Sequence, residues 1–179
     1  MRQSALSKPL GVAAVLVMLT AAACTGSSGK DYAVPEAACG VQVGSGLLSP
    51  LLSDGKKLTE RSYDFGPTKP RCQLKVDGDL VVYFSGDVVP AGTDVIAVNE
   101  RDMRGLGHPA ATDIGQDARV ADRGALAVAT CLYGGKRQQF VANIELKQQA
   151  LKDVPKRRDA LRSLLKAYLP AAMKDVGCG

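Results

Sequence analysis

The chain of 179 residues contains one histidine, no tryptophan and only eight aromatic side chains, three Phe and five Tyr. A single histidine excludes the multi-histidine donor sets of catalytic zinc sites. So few rings argue against a stacking platform for single-stranded nucleic acid. Phosphate cradles are missing as well: Gly105 and Gly107 lack the third glycine of a dinucleotide loop, and Gly134-Gly135-Lys136 lacks the spacing of a P-loop. What is present, 46% apolar and 23% charged residues, is the composition of a chain that folds, with room for one domain.

Residues 1–23 carry Arg2 and Lys8, no acid, the apolar run Leu10 to Leu19 and a small-residue stretch ending before Cys24. The run is too short to span a bilayer, which takes about 20 apolar residues, and the whole reads as a secretory signal peptide. The junction resembles the lipobox of bacterial lipoproteins, in which the cysteine, here Cys24, is lipidated, although Ala21 stands where that motif prefers Leu. Export to the outer face of the cytoplasmic membrane is expected. The membrane would be contacted through the N-terminal lipid, and nucleic acid is excluded as a partner. Losing the signal lowers the net charge from +5 to +3.

Cys39, Cys72, Cys131 and Cys178 then form an even set in an oxidising compartment, which reads as two disulfides. No Cys-x-x-Cys chelate occurs, so neither a zinc site nor any other metal site is expected. Of the three pairings, Cys39 with Cys72 and Cys131 with Cys178 is favoured, because each joins a strand to the helical element nearest in sequence. Cys72 with Cys131, linking the two hairpins, is the rival.

Residues 24–38 are polar and read as a flexible tether, and 39–179 as a single domain. Ser49-Pro50 reads as a helix start and Gly55 as its left-handed stop. Alternating apolar residues on either side of Asp77-Gly78 predict a hairpin, and those flanking 134–137 predict a second with a four-residue loop. Between them, 85–124 reads as a long loop. Within it Val95 to Val98 fits a strand or a helix start, and 99–117 looks exposed. Leu161, Leu164, Leu165, Tyr168, Leu169 and Ala172 give a helical stripe, with Pro170 expected to end or kink the helix near Tyr168. These elements predict an α+β domain: an antiparallel sheet of two hairpins, four or more strands, with a short N-terminal helix and an amphipathic C-terminal helix on one face.

No catalytic constellation emerges. Gly44-Ser45-Gly46 is an incomplete nucleophile elbow, and His108 reads as a surface loop residue. Asp77, Asp79, Asp113, Asp117 and Asp122 read as turn formers or solvated charges. No enzyme and no cofactor are expected. From Lys136 onward ten cations face four acids, against eleven and fourteen between Cys24 and Gly135, and Lys152, Lys156, Arg162 and Lys166 read as a solvated face or a contact for anionic headgroups.

The pattern resembles the small secreted actinobacterial lipoproteins of unknown function. The likeness rests on the anchoring Cys24, Cys39 before Leu47-Leu48-Ser49-Pro50, Cys72, then Gly115, Ala118 and Val120 leading into a strand, and a closing helix. More distantly it is similar to the extracellular sensor domains of mycobacterial-type serine/threonine kinases. The resemblance implies a module that binds a small molecule or an envelope protein and has no known activity. The 85–124 segment and the sheet face are the expected site, with Arg101, Arg104 and His108 as candidate binding residues. A structural envelope protein that docks another protein is the alternative, and an envelope hydrolase the third.

Overall fold

The computed structural model describes residues 29–179. The signal segment, the lipidation residue Cys24 and the first residues of the tether lie outside them. In order, the elements are β1 (Ala37–Ala38), β2 (Val41–Gln42), α1 (Ser45–Leu48), a 3-10 turn at Ser49–Leu51, β3 (Leu58–Asp64), β4 (Pro70–Val76), β5 (Asp79–Pro90), α2 (Val95–Gly105), β6 (Ala110–Ala111), β7 (Asp117–Val120), β8 (Gly124–Tyr133), β9 (Lys136–Leu146) and α3 (Val154–Asp175).

Seven strands form one antiparallel sheet in the order β3-β4-β5-β9-β8-β7-β6, and β1 and β2 form a separate ribbon. Both expected hairpins are present. Asp77 (φ 52°) and Gly78 (φ 95°) make the tight β4–β5 turn, a conformation that Asp tolerates and Gly favours. The second turn is shorter than expected: Tyr133 pairs with Lys136, leaving Gly134 and Gly135 as a two-residue loop at φ 57° and 75°. The two meanders, β3-β4-β5 and β6-β7-β8-β9, join where β5 pairs with β9 over nine residues.

Helix α3 covers one face. Leu161, Leu164, Leu165, Tyr168, Leu169 and Ala172 are all buried, against Phe84, Phe140, Ile144 and the small residues Ala125, Ala127 and Ala142, whose size lets the helix approach the strands. Asp153 caps the helix by accepting the Lys156 N–H at 2.9 Å, and Pro155 sits in its first turn. Pro170 does not end the helix, which continues to Asp175. The buried stripe runs unbroken past it, and Pro170 itself is exposed, so the carbonyl it leaves unbonded faces water while packing on the other side holds the axis.

Several other expectations are corrected. The helical start lies at Ser45, four residues before Ser49. Its first N–H and its hydroxyl both donate to the Glu36 carboxylate, which lowers the pKa of that carboxyl. Gly55 is no helix stop; it pairs with the chain near Lys30, where Asp31 N–H donates to Gly55 O at 2.8 Å. Residues 30–38, read as tether, lie on the domain: Tyr32 and Val34 pack against the core and Ala38 is buried. The segment 85–124 is no long loop, since it contains the end of β5, α2, β6 and β7. Val95 to Val98 open a helix, which lies on the sheet face opposite α3.

The cysteines pair as Cys39 with Cys72 and Cys131 with Cys178. The first fastens the β1–β2 ribbon to β4. The second fastens the chain end to β8, where Leu132 N–H also donates to Gly179 O at 3.2 Å.

Candidate functional site

Alternation along β8 and β9 sends Ala125, Ala127, Phe140, Ala142 and Ile144 toward α3. The intervening Leu126, Val128 and Val141 are apolar too, so the second face of these strands also needs a cover. Helix α2 supplies it. Asp94 caps the helix by accepting the Ala97 N–H at 3.0 Å, and the Asn99 side chain donates to Val95 O at 2.8 Å. Only Val95 and Met103 of this helix are buried, with Ile96 and Leu106 partly so. A helix held by so few side chains leaves space along both flanks.

Toward β9, a cavity of about 410 Å³ lies between Asn99, Asp102, Met103 and Leu106 of the helical segment and Leu126, Asn143 and Glu145 of the sheet. Asn143 Oδ1 is buried here without a hydrogen-bond partner, while its amide donates to Glu145 at 3.2 Å. Toward β7, a second cavity of about 470 Å³ runs between Ile96, Asn99 and Met103 and the strand residues Asp117, Arg119 and Leu126. Both volumes fall in the range of small-molecule sites, roughly 300–1,000 Å³. Near the α2 N-terminus a separate, smaller hollow of about 210 Å³ shares Asp94, Ile96 and Asp117 with the second cavity and is also lined by Gln116 and Gln139. Gln139 is only 8% exposed, and its Oε1 has no partner. Its amide nitrogen lies 3.5 Å from Gln116 Oε1, which also accepts the Thr130 hydroxyl at 2.9 Å.

On the β3-β4-β5 meander Gln73 stands opposite Tyr83, and its amide donates to the Tyr63 hydroxyl at 3.4 Å. The Tyr83 hydroxyl is pushed up to about 12, first by burial and then by the neighbouring Tyr63.

The candidate residues do not form one cluster. Arg101 borders the first cavity. Arg104 is largely exposed and pairs with Glu100 at 2.6 Å along the same helix. His108 follows the helix, is 96% exposed, and has Nδ1 3.1 Å from Asp122 Oδ2. That carboxylate is more than the solvated charge expected of it. Arg158 donates to Asp122 Oδ1 at 2.9 Å and also to the carbonyls of His108 and Val120. The His108 hydrogen bond, helped by Arg158, holds the Asp122 carboxyl below the usual carboxylate range, against a partial desolvation. Of the cations on α3, Lys156, Arg162 and Lys166 are exposed as expected. Arg157 is buried, with its guanidinium donating to Asp122 O, Leu151 O and Lys152 O.

Among the described residues no three His, Cys, Asp or Glu side chains are grouped closely enough to hold a metal ion. No helix among them is long and apolar enough to cross a membrane. Compared with protein-family models, curated proteins and solved structures, the chain matches none.

Proposed function

We propose that the protein is a lipid-anchored binding or sensing module of the cell envelope, and that its ligand lies in the clefts flanking α2. The observation that carries this reading is the seating of α2: four apolar side chains, Val95, Ile96, Met103 and Leu106, bridge it to the sheet, and cavities of about 410 and 470 Å³ open on its two sides. The lining mixes an apolar floor, Met103 and Leu126, with a few convergent polar groups, the usual make-up of a small-molecule site. Anchoring rests on the Cys24 junction and on the disulfide-forming cysteines, which suit an exported chain. Arg101 would contact the ligand from the first cleft. Arg104 and His108 lie at the far end of the helix and its exit, where they bear on access.

Native mass spectrometry of the purified full chain tests the reading. The expected result is a retained or added small molecule that the Ala97→Trp variant loses. Ala97 lines the second cleft from an exposed helix position, so the indole fills the cleft without disturbing the core. A molecule retained equally by Ala97→Trp and by Asp102→Trp, which fills the first cleft from an exposed helix position, or no adduct from a host metabolite extract, overturns the assignment.

A further inference from the structure

We infer that the pocket between the β1–β2 ribbon, strands β3 and β4 and the last turns of α3 is a site for a guanidinium group on a short alkyl stem, held by Tyr168, Asp64 and Asp175. The pocket lies on the α3 face of the sheet, so it is a second site, separate from the clefts along α2. Its volume is about 180 Å³, room for a guanidinium and a few methylenes but below the roughly 300 Å³ at which common small-molecule sites begin. The Cys39–Cys72 bond ties the ribbon wall to β4, so the walls are fixed before a ligand arrives. Two independent observations point to an occupant. First, Tyr168 is 3% exposed, its ring lies 4.9 Å from that of Phe84, and its hydroxyl has no hydrogen-bond partner among the described residues. That oxygen is not sealed in, as those of Gln139 and Asn143 are: the surface it keeps opens on the pocket that the residue lines. A phenol buried this deeply normally finds a partner, and a group bound in the pocket supplies one. Second, Asp175 is the last residue of α3, where the helix end is already partly negative and a carboxylate is unfavourable. Neither it nor Asp64, the last residue of β3, is in an ion pair among the described residues. Burial, and then the Asp175 charge, push the Tyr168 hydroxyl up, so phenol and carboxylate act on the same space.

The polar side chains available to an occupant are two carboxylates from different elements, the phenol and the Ser62 hydroxyl. Arg71 borders the pocket too, but Cys72 faces α3, so alternation turns the Arg71 side chain to the other face of the sheet. There its guanidinium is already engaged, donating to Pro70 O at 2.9 Å, Gly86 O at 2.6 Å and Asp87 at 3.0 Å. No other cation lines the pocket among the described residues. The occupant must therefore bring positive charge and donors. A guanidinium meets both needs better than an ammonium. Its planar fork of five N–H donors reaches carboxylates on two sides at once, and it is more weakly hydrated, which eases entry to a narrow pocket. Ala38, Val41 and Ala172 give an apolar wall for the stem.

The test compares ethylguanidine with ethylurea, a neutral molecule of nearly the same shape, and with ethylamine, by ligand-observed NMR on the full chain. Ethylguanidine is expected to bind about tenfold more tightly than either. Asp64→Asn and Asp175→Asn, both at exposed positions, are each expected to weaken it about fivefold, and Tyr168→Phe, which removes only the hydroxyl, by a similar factor. That hydroxyl bonds to nothing in the described protein, so Tyr168→Phe is expected to leave the urea midpoint unchanged, and a loss of binding is then not a loss of structure. N-acetylarginine methylamide distinguishes the two sources of the group: tighter binding than ethylguanidine assigns it to a peptide arginine, weaker binding to a free guanidine, and either supports the site. Ethylurea binding as tightly as ethylguanidine, or an affinity unchanged in both Asp175→Asn and Tyr168→Phe, overturns the assignment. So does loss of ethylguanidine binding in Ala97→Trp, which would move it to the α2 clefts, whereas failure of the α2 clefts to hold a ligand leaves this pocket untouched.

Discussion

Removing the guanidinium of Arg157 is expected to cost about 3 kcal/mol of stability. Arg157 is 2% exposed and has no carboxylate partner among the described residues, and its charge is met by three backbone carbonyls. Those carbonyls belong to two distant segments, the β7–β8 turn at Asp122 and the β9–α3 connection at Leu151 and Lys152, so the side chain is a clamp between them. Hydrogen bonds to a charged donor are worth roughly 1.5–3 kcal/mol each. The Leu151 and Lys152 carbonyls lie near the surface and regain water when the clamp is lost, and relief from burying the charge offsets part of the rest. In Arg157→Ala a loss of about 3 kcal/mol, with m near 2 kcal/mol/M, moves the urea midpoint down by about 1.5 M. Arg157→Met separates packing from hydrogen bonding, since it refills most of the volume but offers no donor. It is expected to track the alanine variant within about 1 kcal/mol, and Arg157→Lys, which reaches only one carbonyl group, to fall between alanine and the parent. A midpoint shift below about 0.3 M for Arg157→Ala, or full recovery in Arg157→Met, refutes the clamp.

Three further outcomes are expected. Pro170→Ala restores a backbone donor at an exposed site inside α3 and is expected to raise stability by about 1–3 kcal/mol, seen as a higher urea midpoint with unchanged m. Replacing either cysteine pair by alanine is expected to cost about 4 kcal/mol, since the bridges close separations of 33 and 47 residues, and thermal melts with and without reductant read the loss. Asp122 is held below the usual carboxylate range, so its contribution is complete above about pH 5 and is lost as pH falls through the lowered native value. The stability gap between the parent and Asp122→Asn, about 1 kcal/mol at neutral pH, is therefore expected to close as pH falls through that lowered value; a gap that persists in strong acid contradicts the ion-pair origin.

The parts of the fold legible in sequence are those where one local rule suffices. Asp77-Gly78 and Gly134-Gly135 demand positive φ and are flanked by alternating strands, and the stripe from Leu161 to Ala172 has one buried side. Strand β3 was hidden because it is the sheet edge and almost wholly exposed: Thr59, Glu60, Arg61 and Ser62 have no apolar partner to alternate with. Helix α2 was hidden because its two buried residues, Val95 and Met103, stand eight apart, too far to make a stripe. One signal was present nonetheless. Leu126, Val128 and Val141 are apolar on both phases of β8 and β9, which requires an element on each face. The cleft itself was out of reach, because Gln139, Gln116 and Asp94 meet only through the pairing of Thr130 with Gln139 and of Asp117 with Val128. Pro170 shows local preference yielding to a continuous packed face.

The Cys39–Cys72 bond has a mechanical meaning. Tension applied to the chain ahead of Cys39 enters the domain in part at Lys30 and Gly55 and then passes through a covalent link into β4, an interior strand bonded on both sides. Strand β4 cannot be drawn out without shearing two ladders together, whereas β3 at the sheet edge would peel one bond at a time. If the chain is anchored through its N-terminal end, as proposed, load reaches the sheet through an interior strand held by two ladders rather than through the edge strand β3.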